Sequence, residues 1–474
     1  MSVDSILIVI ALICGLYMAW NIGANDVSNA MGTSVGSGAL TLRQAILIAG
    51  VLEFCGAYFF GSHVSDTVQR GIVNPDLFLD SPRLLAYGMI ASLMASGVWL
   101  QLATYYGWPV STTHTIIGAL IGFGAAIGGV DAVYWTKVGY ISLSWVISPL
   151  MGGILSFIIF SLLRRRIFYQ PNPAQAAKRL TPWMAFILIT VLVGTLLSKG
   201  LKNIDLELSN IESLTMALSA GVIAAIIAKI AVNRIVVEDT TFEKHPPVDP
   251  KARIALEKAK KHLLRAQEAS SNEMRRRIEK TVHRVDAISG MSRPVPDGPN
   301  STEYQTVERI FGYLQIVTAC FMAFAHGAND VANAIGPLSA AVAVLSTGIV
   351  SVKASIPAWI LALGGAGIIV GLATWGWRVI ETIGRKITEL TPSRGFSAEF
   401  GAATTIVIAS SLGMPVSTTH TLVGAVLGVG MARGIGALNL NTIRDIVSSW
   451  ILTIPAGAII AIGCFHCLRF VFGG

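Results

Sequence analysis

The chain has 474 residues, of which 53% are hydrophobic and only 13% are charged. A soluble protein carries roughly a quarter charged residues, so the composition excludes an ordinary soluble protein and predicts an all-α, polytopic membrane protein. The net charge of +8 does not indicate nucleic-acid binding, because 15 of the 35 basic residues and 12 of the 27 acidic ones share the interval 234–309.

The first apolar segment, Ser5–Trp20, runs directly into the polar residues Asn21, Asn25 and Asp26. No basic region precedes it and no small-residue cleavage site follows it, so we expect a first membrane span and not a removable signal. Segments of about 20 apolar residues are long enough to cross the hydrocarbon core of a bilayer. Further segments of this kind are Leu84–Thr104, Ile141–Leu163 and Ile446–Cys467.

Two sequence elements occur twice. The element Gly-Ala-Asn-Asp-Val-Ser-Asn-Ala at 23–30 recurs as Gly-Ala-Asn-Asp-Val-Ala-Asn-Ala at 327–334, an offset of 304 residues. The element Pro-Val-Ser-Thr-Thr-His-Thr at 109–115 recurs at 415–421, an offset of 306 residues. Two different motifs at nearly the same offset predict a duplicated structural unit.

Loop charges predict that the two units cross the membrane in opposite orientations. By the positive-inside rule, Arg164–Arg166 mark one cytoplasmic loop and the interval 234–309 marks another, with two spans between them. Five crossings place the N-terminus outside, and the second unit then starts inside. The equivalent loops at 63–83 and 378–395 carry opposite charge bias, as inversion requires. Inverted repeats are typical of secondary transporters.

The interval between the two units predicts a helical hairpin. Two runs with helical periodicity are separated by Ser270, Ser271 and Asn272, which supply a break and a helix cap. We expect a solvated or regulatory element and not a catalytic domain. The predicted organisation is a first repeat at 1–165, connecting membrane spans at 166–233, a cytoplasmic insert at 234–309 and a second repeat at 310–474.

The first repeated motif places a carboxylate inside each unit. An ionised carboxylate within a span costs a few kcal/mol, so Asp26 and its equivalent Asp330 are candidate functional residues. Carboxamides flank both, and oxygen ligands of this kind suit a hard cation such as Na⁺. Neighbouring glycines and alanines leave room for the helix to unwind; the alternative is a polar clamp between helices. The cation-binding candidates are Asn25, Asp26, Asn29, Asn329, Asp330 and Asn333.

The second repeated motif predicts an anion cradle. Pro109 and Pro415 break any incoming helix, and the first turn of the helix that follows presents free N–H groups at its positive end. Hydroxyl groups add donors without a fixed charge, so a tetrahedral oxyanion can be bound and still released. The alternative, ordinary capping of a half-helix, is compatible with anion binding. The candidates are Ser111, Thr112, Thr113, Ser417, Thr418 and Thr419.

Three further residues are candidates for ion coupling. His114 and His420 close the second motif and could relay protons or orient their neighbours through hydrogen bonds. Glu53 lies in the second span, where the alternative is a single structural hydrogen bond. Glu399, at the start of a later span, is a weaker candidate. We expect no metal site at Cys464–Cys467, because no second ligand cluster lies near it in the sequence.

At these motifs the chain resembles the inorganic phosphate transporter (PiT) family, and the resemblance covers 1–165 and 305–474. The resemblance implies about 12 transmembrane helices in inverted repeats, with broken or re-entrant helices, and commonly a homodimer. It also implies cation-driven phosphate uptake across the plasma membrane (the inner membrane in a bacterium) without a cofactor. On matching positions it assigns the asparagines and aspartates to cation and phosphate sites, and the Ser-Thr-Thr turns to phosphate.

One departure from internal symmetry concerns position 22, which is Ile22 where the second copy has His326. Some bacterial family members carry Phe-His-Asp-Thr-Ala-Asn-Ala and use protons, so the Asn-Asp form here favours Na⁺. We therefore predict a Na⁺-coupled phosphate symporter that works by alternating access. The alternative is a proton-driven phosphate or sulfate permease. An enzyme is not expected, because the chain has neither an HExxH nor a GxSxG motif; a non-transporting receptor is the remaining class.

Overall fold

The computed structural model describes residues 2–198, 208–235, 250–268, 270, 272–291, 302–350, 356–377, 390–434 and 440–473. Within these ranges every regular element is helical, apart from one isolated bridge between Val73 and Val133. The chain separates into two compact units. One comprises Met1–Phe160, Phe186–Ile223 and Phe311–Gly474, and the other comprises Ser161–Ala185 and Ala224–Ile310. The domain boundaries drawn from sequence stay predictions.

Six helices form the part of the chain that carries the first copy of both motifs. Local sequence explains the starts of two of them: Thr41 and Gln44 form a reciprocal capping box before α2, and Pro82 occupies the first turn of α4, where its missing N–H costs nothing. The helices are α1 (Val3–Gly36), α2 (Leu42–Phe60), α3 (Ser62–Arg70), α4 (Pro82–Tyr105), α5 (Thr112–Ile127) and α6 (Trp135–Leu163).

Nine further helices follow among the described residues. The last five carry the second copy of both motifs and follow the order of α1, α2, α4, α5 and α6. The predicted hairpin in the insert is present as α9 and α10, and α10 begins at the expected Asn272. Most of the predicted loop at 378–395 lies outside the described residues. The helices are α7 (Pro173–Ser198), α8 (Asn210–Asn233), α9 (Pro250–Glu268), α10 (Asn272–Met291), α11 (Thr302–Thr347), α12 (Ala358–Trp375), α13 (Pro392–Ser411), α14 (Thr418–Arg433) and α15 (Leu440–Phe472).

Nine of the described helices are long and apolar enough to cross a bilayer, which confirms an all-helical, multi-pass membrane protein. The helices α5 and α14 have 16 residues each, fewer than the roughly 20 that a full crossing needs. The expected number of about 12 transmembrane helices, and the opposite orientation of the repeats, stay predictions.

Glycines allow the first helix of each repeat to pack closely on the second helix of the other repeat. A Cβ atom added to Gly23 on α1 would lie 1.9 Å from the carbonyl oxygen of Ile368 on α12. The equivalent Gly327 on α11 meets α2, where an added Cβ would lie 2.1 Å from the carbonyl oxygen of Glu53. The first helix of each repeat thus packs on the second helix of the other.

The short helices show the same reciprocal exchange. A Cβ added to Gly118 on α5 would lie 2.5 Å from the carbonyl oxygen of Ile454 on α15, and one added to Gly424 on α14 would lie 2.3 Å from that of Pro149 on α6. Small residues that let backbones approach are a general device of helix association in membranes. The two halves are therefore interlocked, and each completes its core with helices of the other.

We expect Gly23→Ala to lower the thermal unfolding midpoint of the purified protein, because the added methyl group would overlap the backbone of α12. Overpacking of this kind costs about 1–3 kcal/mol or more. Gly463→Ala on α15 is the matched control, since no described atom lies within 4 Å of its added Cβ. Equal midpoints for both variants in a fluorescence-detected thermal ramp would contradict the packing.

Candidate functional site

The Asn-Asp motifs lie inside α1 and α11, which continue unbroken through them. The expectation that the glycines let the helix unwind here was wrong. The carboxamide of Asn25 points out of its helix and donates to Thr104 Oγ1 at 2.9 Å and to the carbonyl oxygen of Trp108 at 3.2 Å. The equivalent Asn329 lies 2.9 Å from Ser410 Oγ. These contacts tie each motif to the helix end that precedes the cradle without opening the helical backbone.

The Ser-Thr-Thr motifs begin the short helices as expected. Ser111 precedes α5, and its Oγ accepts a hydrogen bond from His114 N at 3.1 Å; Ser417 Oγ accepts from His420 N at 3.2 Å before α14. Both serines therefore act as N-caps. The N–H groups at the first two helical positions have no partner inside the helix and remain available at the positive end of the helix dipole.

Hydrogen bonds cross from each Asn-Asp motif to the threonines of the other repeat. Asn29 Nδ2 on α1 donates to Thr419 Oγ1 at 2.8 Å. Asn333 Nδ2 on α11 donates to Thr113 Oγ1 at 3.1 Å. Longer contacts of 3.4 and 3.3 Å join the same amide nitrogens to Thr418 and Thr112. One site is therefore built from both repeats.

The aspartates take part in the same network. Thr418 Oγ1 donates to Asp330 Oδ2 at 2.7 Å, and Thr419 Oγ1 lies 3.3 Å from Asp26 Oδ1. The two helix starts also meet directly, since Thr113 Oγ1 donates to the carbonyl oxygen of Val416 at 3.1 Å. All twelve residues assigned to the cation and anion candidates are buried. The structure thus brings both predicted halves of the site together.

His326 lies at the centre of the acidic groups. Its Nε2 is 3.0 Å from Asp330 Oδ2 and 3.9 Å from Asp26 Oδ2, and its Nδ1 is 3.1 Å from Glu53 Oε1. Atoms of Asp26, His326 and Asp330 lie within 4.8 Å of one another, close enough to share one metal ion. Motif analysis assigned no site role to His326, and the one available signal was its mismatch with Ile22. Glu53, a coupling candidate, reaches the site through this imidazole.

Several oxygen atoms of the site have no hydrogen-bond donor. Among the described residues these include Asp26 Oδ2 and the side-chain carbonyl oxygens of Asn25, Asn29 and Asn333. An unpaired buried polar atom is costly and calls for a partner. Carboxylate and amide oxygens are the ligands of hard cations, and no Lys or Arg is buried among the described residues.

Comparison with known proteins decides the family. A family model described as the phosphate transporter family matches residues 22–461. The chain belongs to the phosphate transporter family. It is 47% identical over 458 residues to the chloroplastic inorganic phosphate transporter 2-1 of Arabidopsis thaliana, covering 95% of this chain and 70% of that protein. Its fold matches a solved structure described as the sodium-dependent phosphate transporter, with a TM-score of 0.79 and 37% identity over 98% of this chain and 99% of that one.

Membership of the phosphate transporter family supports phosphate transport and places the chain among transporters and not enzymes. The remaining coupling candidates lie apart from the carboxylates in this transporter. The rings of His114 and His420 pack edge to face with centroids 4.3 Å apart, and no hydrogen bond or ion pair among the described residues joins either ring to Asp26 or Asp330. A role of these histidines in coupling stays a prediction.

Glu399 of the transporter forms a second buried acidic centre. It is fully buried on α13 and accepts hydrogen bonds from Thr318 Oγ1 at 2.6 Å and from Gln315 Nε2 at 3.1 Å. Thr33 and Ser34 at the end of α1 donate to Oε1, the oxygen that also accepts from Gln315, whereas Thr318 donates to Oε2. Its four donors come from α1 and α11, two helices that are distant in the chain, so no sequence spacing indicates this centre. A functional role for Glu399 stays a prediction.

We expect Glu399→Leu to lower the thermal unfolding midpoint of the transporter by several degrees. The change removes the acceptor of Thr33, Ser34 and Gln315, while Thr318 keeps the carbonyl oxygen of Gln315 at 3.0 Å; each buried donor left without an acceptor costs about 1–3 kcal/mol. Glu399→Gln keeps one acceptor oxygen, so its unfolding midpoint should lie between those of the Leu variant and the unchanged protein. Glu279→Gln on the exposed surface of α10 is the control; a Leu variant as stable as this control would refute the assignment.

Proposed function

We propose that this protein is a Na⁺-coupled symporter of inorganic phosphate that works by alternating access. The observation that carries the proposal is the set of donor-free oxygens of Asp26, Asn25, Asn29 and Asn333, which lie beside two helix N-termini that meet each other. Hard-cation ligands and an anion cradle are therefore contiguous. The described fold match to a sodium-dependent phosphate transporter supports the choice of cation.

The cation half of the proposal rests on the carboxamides. The amide nitrogens of Asn29 and Asn333 are held by threonine hydroxyls, so their oxygens are fixed in the opposite direction. Asp26 supplies a negative charge with one oxygen free of any hydrogen bond. Such oxygens can replace the hydration shell of Na⁺ without reorganisation at the moment of binding.

The anion half rests on the starts of α5 and α14. Both present backbone N–H groups to the region between α1 and α11, where a helix N-terminus is a ready anion site. Thr112, Thr113, Thr418 and Thr419 place hydroxyl groups at the same helix starts. Each hydroxyl has a single hydrogen, and those of Thr113 and Thr418 point to Val416 and Asp330, so they can donate to phosphate only after rotating away from these acceptors. Because no buried Lys or Arg among the described residues binds the anion, release on the other side of the membrane stays possible.

Electrostatics then couples the two ligands. Two like charges about 4 Å apart repel by about 4 kcal/mol at an effective dielectric constant of 20, so the ionised aspartates oppose the approach of phosphate. A bound cation removes this repulsion, and bound phosphate strengthens cation binding in return. Neither ligand binds well alone, which is the thermodynamic basis of symport.

We place the transporter in the plasma membrane, or in the inner membrane of a bacterium, and expect a homodimer. Alternating access follows from a site between interlocked repeats, the usual arrangement in secondary transporters. His326 favours one alternative: a titratable group among Asp26, Asp330 and Glu53 suits a proton-driven phosphate or sulfate permease.

Reconstitution into proteoliposomes separates the two cations. We expect labelled phosphate to accumulate with an inward Na⁺ gradient and to stay near background with an equal K⁺ gradient, because only Na⁺ fits the oxygen ligands. A proton gradient without Na⁺ is the third condition. Equal uptake under the proton gradient, with competition by sulfate, would replace sodium coupling by the alternative.

Replacement of either aspartate tests the site. Asp26→Asn and Asp330→Asn remove the charge that holds the cation while keeping the side-chain shape, so we expect phosphate uptake to fall by about tenfold or more, the factor that about 1.4 kcal/mol of lost binding gives. Membrane insertion should persist, because a neutral residue is cheaper to bury. Asp131→Asn, at an exposed turn, is the control. Unchanged Na⁺-driven uptake in both site variants would refute the assigned role.

A further inference from the structure

A cavity of about 650 Å³ lies between α6 and α15, on the other side of the helices that carry the cradle. Its volume falls within the range of about 300–1,000 Å³ that small-molecule sites occupy. Its walls include Trp145, Leu150 and Ile154 from α6 and Trp450 and Ile451 from α15. The first turns of α5 and α14 contribute His114 and His420 to the lining.

The walls indicate what kind of molecule can enter. Val146, Leu150 and Ile451 are 58%, 59% and 72% exposed. They lie on α6 and α15, which are long and apolar enough to cross a bilayer, so the cavity is open on the side that would face the hydrocarbon phase. No Lys, Arg, Asp or Glu is among the described residues that line it. An apolar body from the hydrocarbon phase fits these walls, whereas a charged ligand would have no partner.

Polar atoms without partners converge on this cavity. Among the described residues, both ring nitrogens of His114, Nε2 of His420 and the indole nitrogen of Trp450 form no hydrogen bond of regular geometry; the backbone of Trp450 lies near the imidazole of His114, and that of Trp145 lies near the imidazole of His420. The ring centroids of His114 and Trp145 are 3.9 Å apart, and the ring of His420 stacks on that of Trp450 with centroids 3.5 Å apart. In hydrocarbon an unsatisfied polar group costs several kcal/mol, so this cluster calls for a hydrogen-bonding partner.

We propose that the cavity binds an uncharged, lipid-like molecule with an apolar body and one hydroxyl group, and that the hydroxyl pairs with His114 or His420. A neutral imidazole offers one donor and one acceptor, and a hydroxyl offers both in return. A few polar groups in an otherwise apolar cavity are the usual composition of a specific small-molecule site. The proposal holds whichever cation drives transport.

A ligand in this cavity can affect the transport site through the two short helices α5 and α14. Ser111 caps the N–H of His114, and Ser417 caps that of His420, so each imidazole shares its first helical turn with the threonines of the cradle. A ligand that holds the imidazoles fixes the angle of these turns. The cavity is thereby a site from which a membrane-soluble molecule can alter phosphate transport without competing for the phosphate site.

Photolabelling of the full-length protein in proteoliposomes tests the proposal. The probe is a long-chain primary alcohol bearing a diazirine; the matched alkane lacks the hydroxyl, and a diazirine phosphatidylcholine reports the bulk lipid. We expect the alcohol to label peptides of α6 and α15 that face the cavity about tenfold more than the alkane does, the factor that about 1.4 kcal/mol of hydrogen bonding gives. Equal labelling by alcohol and alkane would overturn recognition of the hydroxyl.

Three variants locate the label. Ile154→Trp adds an indole ring to the cavity wall and should reduce alcohol labelling, and Ile459→Trp is its control, because Ile459 is 70% exposed on α15 but does not line the cavity. His114→Phe keeps a ring of similar size and should reduce alcohol labelling to the level of the alkane. Equal alcohol labelling of Ile154→Trp and Ile459→Trp, preferential labelling by phosphatidylcholine, or crosslinks to a second copy of the chain would each overturn the site. Val146→Trp repeats the test should Ile154→Trp not give a monodisperse protein.

Discussion

Hydrogen bonds between carboxamides of one repeat and threonines of the other are the interaction on which the site depends. Asn29 and Asn333 each commit their nitrogen to the opposite cradle, and this fixes both where the short helices start and where the amide oxygens point. In a bilayer no water replaces a lost partner, so the members of this network stabilise one another and form together. Burial penalises a lone carboxylate, but here it strengthens the hydrogen bonds that hold the carboxylate and amide oxygens in place.

The near two-fold symmetry of this network is broken at a few positions, and those positions carry charge. His326 pairs closely with Asp330 and reaches Asp26 only at 3.9 Å, and Ile22 offers no counterpart in the first repeat. Glu53 lies behind the same imidazole, and Glu399 belongs to one repeat alone. The repeated contacts therefore build the frame of the proposed site, and the positions that differ between the repeats make the two aspartates chemically different.

The amino-acid sequence was sufficient for the parts of the structure that are local or repeated. The motifs identified the buried aspartates, and Pro followed by Ser-Thr-Thr located the starts of α5 and α14 correctly. The sequence misled where the outcome depends on distant partners: α1 stays helical at Asn25 because Thr104 and Trp108 take its amide. The donors of Glu399 lie up to 366 residues away, and His326 is matched with carboxylates from two other helices. No periodicity or spacing encodes such pairs.

The interlocked glycine contacts have a consequence for how such a chain could arise. Gly23 packs closely against the backbone of α12, and its equivalent Gly327 packs closely against that of α2. A half-length polypeptide would leave both of these surfaces open, and its cradle would lack the asparagine that anchors it. Only a second half-length copy that supplied the missing helices would close these contacts. Because both halves belong to one chain, a residue such as His326 can occur in one half without a counterpart in the other.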